Sequence, residues 1–140
     1  MADLSRFVEA QATTYQSALA ELRRGRKASH WMWFIFPQIQ GLGSSPTARL
    51  YAIADLAEAR AYLEHPVLGP RLLKVVAAIN ALPGGDAHAV FGAPDDLKLR
   101  SSLTLFQAAA PDEPAFGQAL DKYFGGAPDP RTLERLAVKP

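Results

Sequence analysis

The sequence predicts a mainly α-helical fold: one compact domain over residues 1–140, with five or six helices and at most one or two short strands. Three observations carry this. Apolar residues recur at helical spacing in several separated windows. Helix start and stop residues bracket those windows. The period-two alternation that a sheet requires is missing. A length of 140 residues suffices for a single core without covalent staples.

The elements follow in order. Asp3 is suited to cap a first helix, along which Leu4, Phe7, Val8, Tyr15, Ala18, Leu19 and Leu22 recur, with Gly25 as the stop. The segment Trp31–Phe36 is apolar throughout, which implies burial on all sides, and Pro37 ends any helix there. Gln38 to Pro46 reads as a loop in which Gly41 and Gly43 can take positive φ. Ala48 to Ala54 is a short helix or a strand. Asp55 and Glu58 have capping-box spacing and start a helix at Leu56 that ends near His65-Pro66. Pro66 or Pro70 then lies in the first turn of a helix whose buried stripe is Leu68, Leu72, Val75, Val76 and Ile79. Asp86 caps a short turn to Phe91. Pro94 opens a helix with Asp95 and Asp96 in its first turn, where the helix dipole favours carboxylates. Phe116, Leu120 and Phe124 define a further helix, and Asp129-Pro130 starts a last one carrying Leu133 and Leu136.

Composition narrows the function. Hydrophobic content of 49% with 21% charged residues fits a soluble globular protein. A net charge of +1 gives no whole-chain attraction for nucleic acid or an anionic membrane. Arg23, Arg24, Arg26 and Lys27 form a local basic run, explained by a helix C-terminus and solubility or by contact with phosphate. With no cysteine, disulfides and thiolate metal sites are excluded, which fits a reducing compartment, and the expected location is cytoplasmic. The N-terminus lacks the apolar core of a secretory signal, and the longest apolar run is far short of the ~20 residues of a membrane helix. No metal motif and no cofactor fingerprint is present, and the oligomeric state is not readable.

The chemistry concentrates between Lys27 and Gly43, which holds both tryptophans and His30. His30 is either a structural imidazole or a general base. Trp31 and Trp33 are either core fillers or a surface on which a planar ring stacks. Gln38 and the Gly41, Gly43, Ser45 loop can bring N–H groups to an anion or merely turn the chain. Asp95 and Asp96 serve either the helix dipole or a pocket rim, with Lys98 and Arg71 as candidates for phosphate or carboxylate. Ser101 and Ser102 add small donors on an otherwise apolar helix, or bond back to the preceding turn.

Four segments carry a resemblance: Lys27-x-Ser-His-Trp-Met-Trp-Phe-Ile-Phe-Pro-Gln38, Gly41-Leu-Gly-x-Ser45, His65-Pro-Val-Leu-Gly-x-Arg71-Leu72, and Phe91-Gly-x-Pro-Asp-Asp-x-Lys98-Leu-x-Ser-Ser-x-Thr-Leu-Phe106. On these the chain is identified as a member of the family known as domain of unknown function 1810, whose members often carry the label calpastatin. That label implies a disordered inhibitor and does not fit so apolar a chain. The family implies a small helical domain without an established activity. The chain is also similar, more remotely, to the NADAR N-glycosidases, through Trp33 ahead of the Gly41/Gly43 loop and Leu105-Phe106 at the end of a later helix. That similarity implies a nucleotide or ADP-ribose-type ligand. Trp31 or Trp33 would stack on the base, and Lys27 or Arg71 with the glycine loop would hold phosphate. His30, Asp95, Asp96 and Lys98 would carry the chemistry of N-glycosidic hydrolysis. The alternative is a non-catalytic interaction or ligand-sensing module that uses the basic run.

Overall fold

The structure is a computed structural model that describes residues 3–137. Its helices are α1 (Ser5–Ala12), α2 (Tyr15–Arg23), α3 (Met32–Ile35), α4 (Pro46–Leu50), α5 (Leu56–Glu64), α6 (Leu68–Ala81), α7 (Ala87–Phe91), α8 (Asp95–Ala109), α9 (Pro114–Phe124) and α10 (Pro130–Ala137). The fold is mainly helical, as expected. Among the described residues the extended structure amounts to one parallel bridge, Ile39 to Ile53.

The expected count of five or six helices is corrected to ten among the described residues. The first helix divides at Thr13-Thr14, where two β-branched residues are poorly suited to a helix interior. Helices α3, α4 and α7 are single turns of four or five residues, too short to show a helical period in sequence.

Side-chain caps account for several helix starts. The Asp55 carboxylate accepts from the Glu58 N–H at 2.9 Å, and Glu58 reaches back to the Ala54 N–H at 2.8 Å. Asp86 accepts from Ala89 N–H, and Glu113 from Ala115 N–H beside Pro114. His65 accepts through Nδ1 from the Val67 and Leu68 N–H groups at the head of α6. Gly125 closes α9 in the left-handed conformation at φ 62°.

Helix α8 is the axis of the fold. It packs against α3, α5, α7, α9 and α10, and all six residues from Ser101 to Phe106 are buried. A helix covered on every side must pack small or apolar groups all round. Here half of that run carries hydroxyls. Thr104 Oγ1 donates to the Arg100 carbonyl at 2.8 Å, which satisfies a buried group locally.

A buried carboxylate fixes the aromatic segment. Glu21, 6% exposed, accepts hydrogen bonds from Ala28 N–H at 2.7 Å, Ser29 N–H at 3.0 Å, the Ser29 hydroxyl at 2.5 Å and the Trp31 indole N–H at 2.9 Å. Burial by itself pushes its pKa up, but the four donors together outweigh that and hold it at about 2. Trp31 is thereby fixed in the core near Phe36 and Phe91. The expectation that all of Trp31–Phe36 is buried is corrected for Trp33 and Phe34, which are only partly buried. One helical turn cannot point six side chains at one core. Among the described residues no helix is long and apolar enough to cross a membrane.

Glu21→Gln is expected to lose about 2 kcal/mol or more of stability at neutral pH, because a charged acceptor of buried donors is removed. The sign with pH follows from a depressed pKa. The contribution of Glu21 is complete above 4.5 and fades as pH falls towards about 2. Urea titrations of both proteins should therefore differ most at pH 7 and converge in acid. Equal midpoints at pH 7 would remove Glu21 from this role.

Candidate functional site

Pro37 ends α3, and the chain then runs through the Gln38–Ser45 loop before Ser45 caps α4 by accepting from Ala48 N–H at 3.1 Å. The start of the loop is pinned to the segment after α4. Gln40 N–H donates to the Ile53 carbonyl and Ile53 N–H to the Gln38 carbonyl, both at 2.8 Å. Gly41 has φ +93°, and a Cβ there would overlap the Arg135 guanidinium. The positive φ favours glycine there, while the overlap falls on the end of a flexible, exposed side chain that can shift.

Among the cavities that border this loop, two share Trp33 and Gly43. The first, of about 400 Å³, is lined by Trp33, Gln38, Gly41, Gly43, Arg49, Tyr51 and Arg135, among others. The second, of about 390 Å³, is lined by Trp33, Gln38, Gly43, Lys98, Arg100, Ser101, Asp129 and Arg131, among others. Trp33, Gln38, Leu42 and Gly43 belong to both and form the wall between them. Each volume falls within the range of ~300–1,000 Å³ typical of small-molecule sites.

The C-terminal helix supplies one side. Asp129 precedes α10, and its carboxylate accepts from the Thr132 hydroxyl at 2.6 Å, the Ser101 hydroxyl at 2.8 Å and the Thr132 N–H at 3.2 Å. Its own N–H donates to Thr104 Oγ1 at 2.9 Å. Partial burial pushes the Asp129 carboxyl up, but these donors prevail and hold it below the usual aspartate value. So fixed to α8, α10 lays Arg131 and Arg135 along the loop, where they donate to the Leu42 carbonyl at 3.4 Å and the Gln40 carbonyl at 3.2 Å.

The site residues expected from sequence divide. Trp33, Gln38, Gly41, Gly43, Lys98 and Ser101 come together at the cavities. Lys98 Nζ lies 3.8 Å from the Trp33 ring centroid and 3.3 Å from Asp95. Asp95 also pairs with Lys27 at 2.9 Å, so Lys27 stands behind Lys98 with a carboxylate between them. The others lie elsewhere. His30 is exposed and lines neither cavity. Trp31 is fully buried and has no face for a ligand ring, which corrects its reading as a stacking surface. Ser45 is a helix cap. Asp96 faces the exposed His88 at 3.6 Å. Arg71 lies over Tyr15 at 4.8 Å and near Gln11, on neither cavity wall. Ser102 is in the core, its hydroxyl without a partner.

Cavity residues missed in the sequence include Arg49, Tyr51, Arg100, Asp129, Arg131 and Arg135. The legible signal was the i, i+4 pair Arg131/Arg135 following a capped helix start, which places two cations on one face. Among the described residues no group of His, Asp and Glu is placed to hold a metal ion.

A family model described as a protein of unknown function (DUF1810) matches residues 1–136. The chain is similar to the conserved hypothetical protein Rv1873 from Mycobacterium tuberculosis, known from a crystal structure, with 53% identity over 98% of each chain and a TM-score of 0.96. No curated protein matches it.

Asp129→Ala is expected to release α10 while the rest of the fold survives. Amide exchange of residues in α10 should accelerate at least about tenfold, with little change in α6 and α8. Unchanged protection in α10 would show that Asp129 is not what holds it.

Proposed function

This chain belongs to the DUF1810 family, and we propose that its two cavities bind a small anionic ligand of nucleotide type. The observation that carries this reading is the local charge. Arg49, Lys98, Arg100, Arg131 and Arg135 line the cavities against the single carboxylate of Asp129, in a chain of net charge +1. Among the described residues, none of Arg49, Arg131 and Arg135 has a carboxylate within 4.0 Å. Guanidinium groups without carboxylate partners, set around a concave surface though themselves exposed, favour phosphate or carboxylate ligands.

The second supporting feature is Trp33. Lys98 occupies one part of its surface from the second cavity, so a planar ring meets the indole from the first. Stacking of a base on an aromatic ring is worth roughly 1–3 kcal/mol.

The NADAR likeness extends this reading to cleavage of an N-glycosidic bond. The carboxylates argue for binding without turnover. Asp129 is saturated by hydrogen-bond donors, and Asp95 lies between two ammonium groups. A ligand-sensing role is therefore preferred to hydrolysis. Chromatography of ADP-ribose-type and nucleotide substrates incubated with the protein distinguishes the two, since release of free base would restore the hydrolase.

In thermal melts, millimolar AMP should raise the Tm, and adenosine should do so much less. A ligand at a hundred times its Kd adds about 2.7 kcal/mol. Arg135→Glu should weaken AMP at least about tenfold without loss of helical signal. No melting shift with any nucleotide at millimolar concentration would sink the reading.

A further inference from the structure

The cations are partitioned, and the partition says more about the ligand than the total does. Of these two cavities, Arg49 and Arg135 line only the first, whereas Lys98 and Arg131 line only the second; Arg135 also borders a smaller neighbouring cavity with Gln40 and Asp55. Arg100 is spoken for, because its guanidinium donates to the Ala127 and Pro128 carbonyls at 2.9 Å and 2.7 Å. With Arg100 set aside, each cavity has two cations, one of them from α10. Arg131 and Arg135 make only single, longer bonds to loop carbonyls, at 3.4 Å and 3.2 Å, and Lys98 is shared with Asp95 at 3.3 Å. Arg131 and Arg135 are four residues apart, so their backbones are separated by about 6 Å along the helix axis.

The wall between the pairs is polar as well as aromatic. The Gln38 side-chain amide is part of it and makes no hydrogen bond among the described residues. It offers both a donor and an acceptor at the midpoint. Gly43 packs closely on α4 beside it, since a Cβ there would come to 2.8 Å from the Ala48 Cβ.

Resting on the anionic-ligand reading, we propose that the site takes a molecule with two anionic groups set apart on a polar, ring-bearing centre, one group in each cavity. A nucleoside bisphosphate has this chemistry. One phosphate meets Arg49 and Arg135, the other meets Lys98 and Arg131, and Gln38 hydrogen-bonds the sugar between them. Binding exchanges the bonds from Arg131 and Arg135 to the loop carbonyls for charge-assisted bonds to the ligand, which are stronger. A nucleoside diphosphate carries its anions on one side and fills one cation pair only.

Calorimetric titration of the full chain with AMP, ADP and adenosine 3′,5′-bisphosphate tests this, with Arg49→Glu and Arg131→Glu as variants and circular dichroism as the folding control. The bisphosphate is expected to bind at least about tenfold tighter than ADP, and each charge reversal to weaken it by about tenfold or more. AMP should lose affinity in one variant and keep it in the other. If ADP binds as tightly as the bisphosphate, or if only one reversal affects the bisphosphate, the two-anion proposal is overturned while anion binding stands. If AMP, ADP and the bisphosphate all fail to bind, both readings fall. Should a glutamate variant misfold, Arg49→Gln and Arg131→Gln replace it, with the same pattern expected at smaller amplitude.

Discussion

The clasp between Asp129 and α8 is the constraint on which the cleft depends. Ser101 and Thr104 are buried hydroxyls on the central helix, and both are used by the residue that starts α10. Hydrogen bonds to a charged acceptor contribute about 1.5–3 kcal/mol each, more than a surface ion pair. Without this junction the arginines of α10 have no fixed relation to the glycine loop, and neither cavity has its second cation. The hydroxyls that weaken α8 as an isolated apolar helix are thus what tie the C-terminal segment to it.

The aromatic segment shows how one short helical turn can serve core and surface together. Trp31 is committed to the interior by Glu21, while Trp33, two residues on, reaches the cavity wall. A buried anion costs desolvation, and four donors from Ala28, Ser29 and Trp31 compensate it. In return the carboxylate fixes the entry to α3 and with it the direction of Trp33. Lys98 then lies over that indole, and Asp95 holds Lys98 and Lys27 together.

Much of the fold was legible. Caps at Asp55 and Asp86, glycine stops and the stripe of α6 all follow from local chemistry. Single-turn helices were not, because four or five residues contain too little periodicity. The site was legible where its residues are unusual for their setting: paired glycines, a tryptophan next to a loop, a lysine and serines on an apolar helix. It was illegible where ordinary surface residues do the work. Arg49, Arg131 and Arg135 carry no motif or unusual setting, and Asp129 reads as a helix start. Arg71 and His30 stood out by motif, yet Arg71 packs on Tyr15 and His30 faces solvent. Motif membership marks both without indicating where either side chain goes.

Gly41 lies against the guanidinium of Arg135, although the two are far apart in the sequence. Their fates are therefore joined. A lineage that acquires even an alanine at the first position must shorten or swing away the side chain at the second. Paired substitutions at 41 and 135 across relatives would then record, in sequences alone, which descendants have kept the cleft intact.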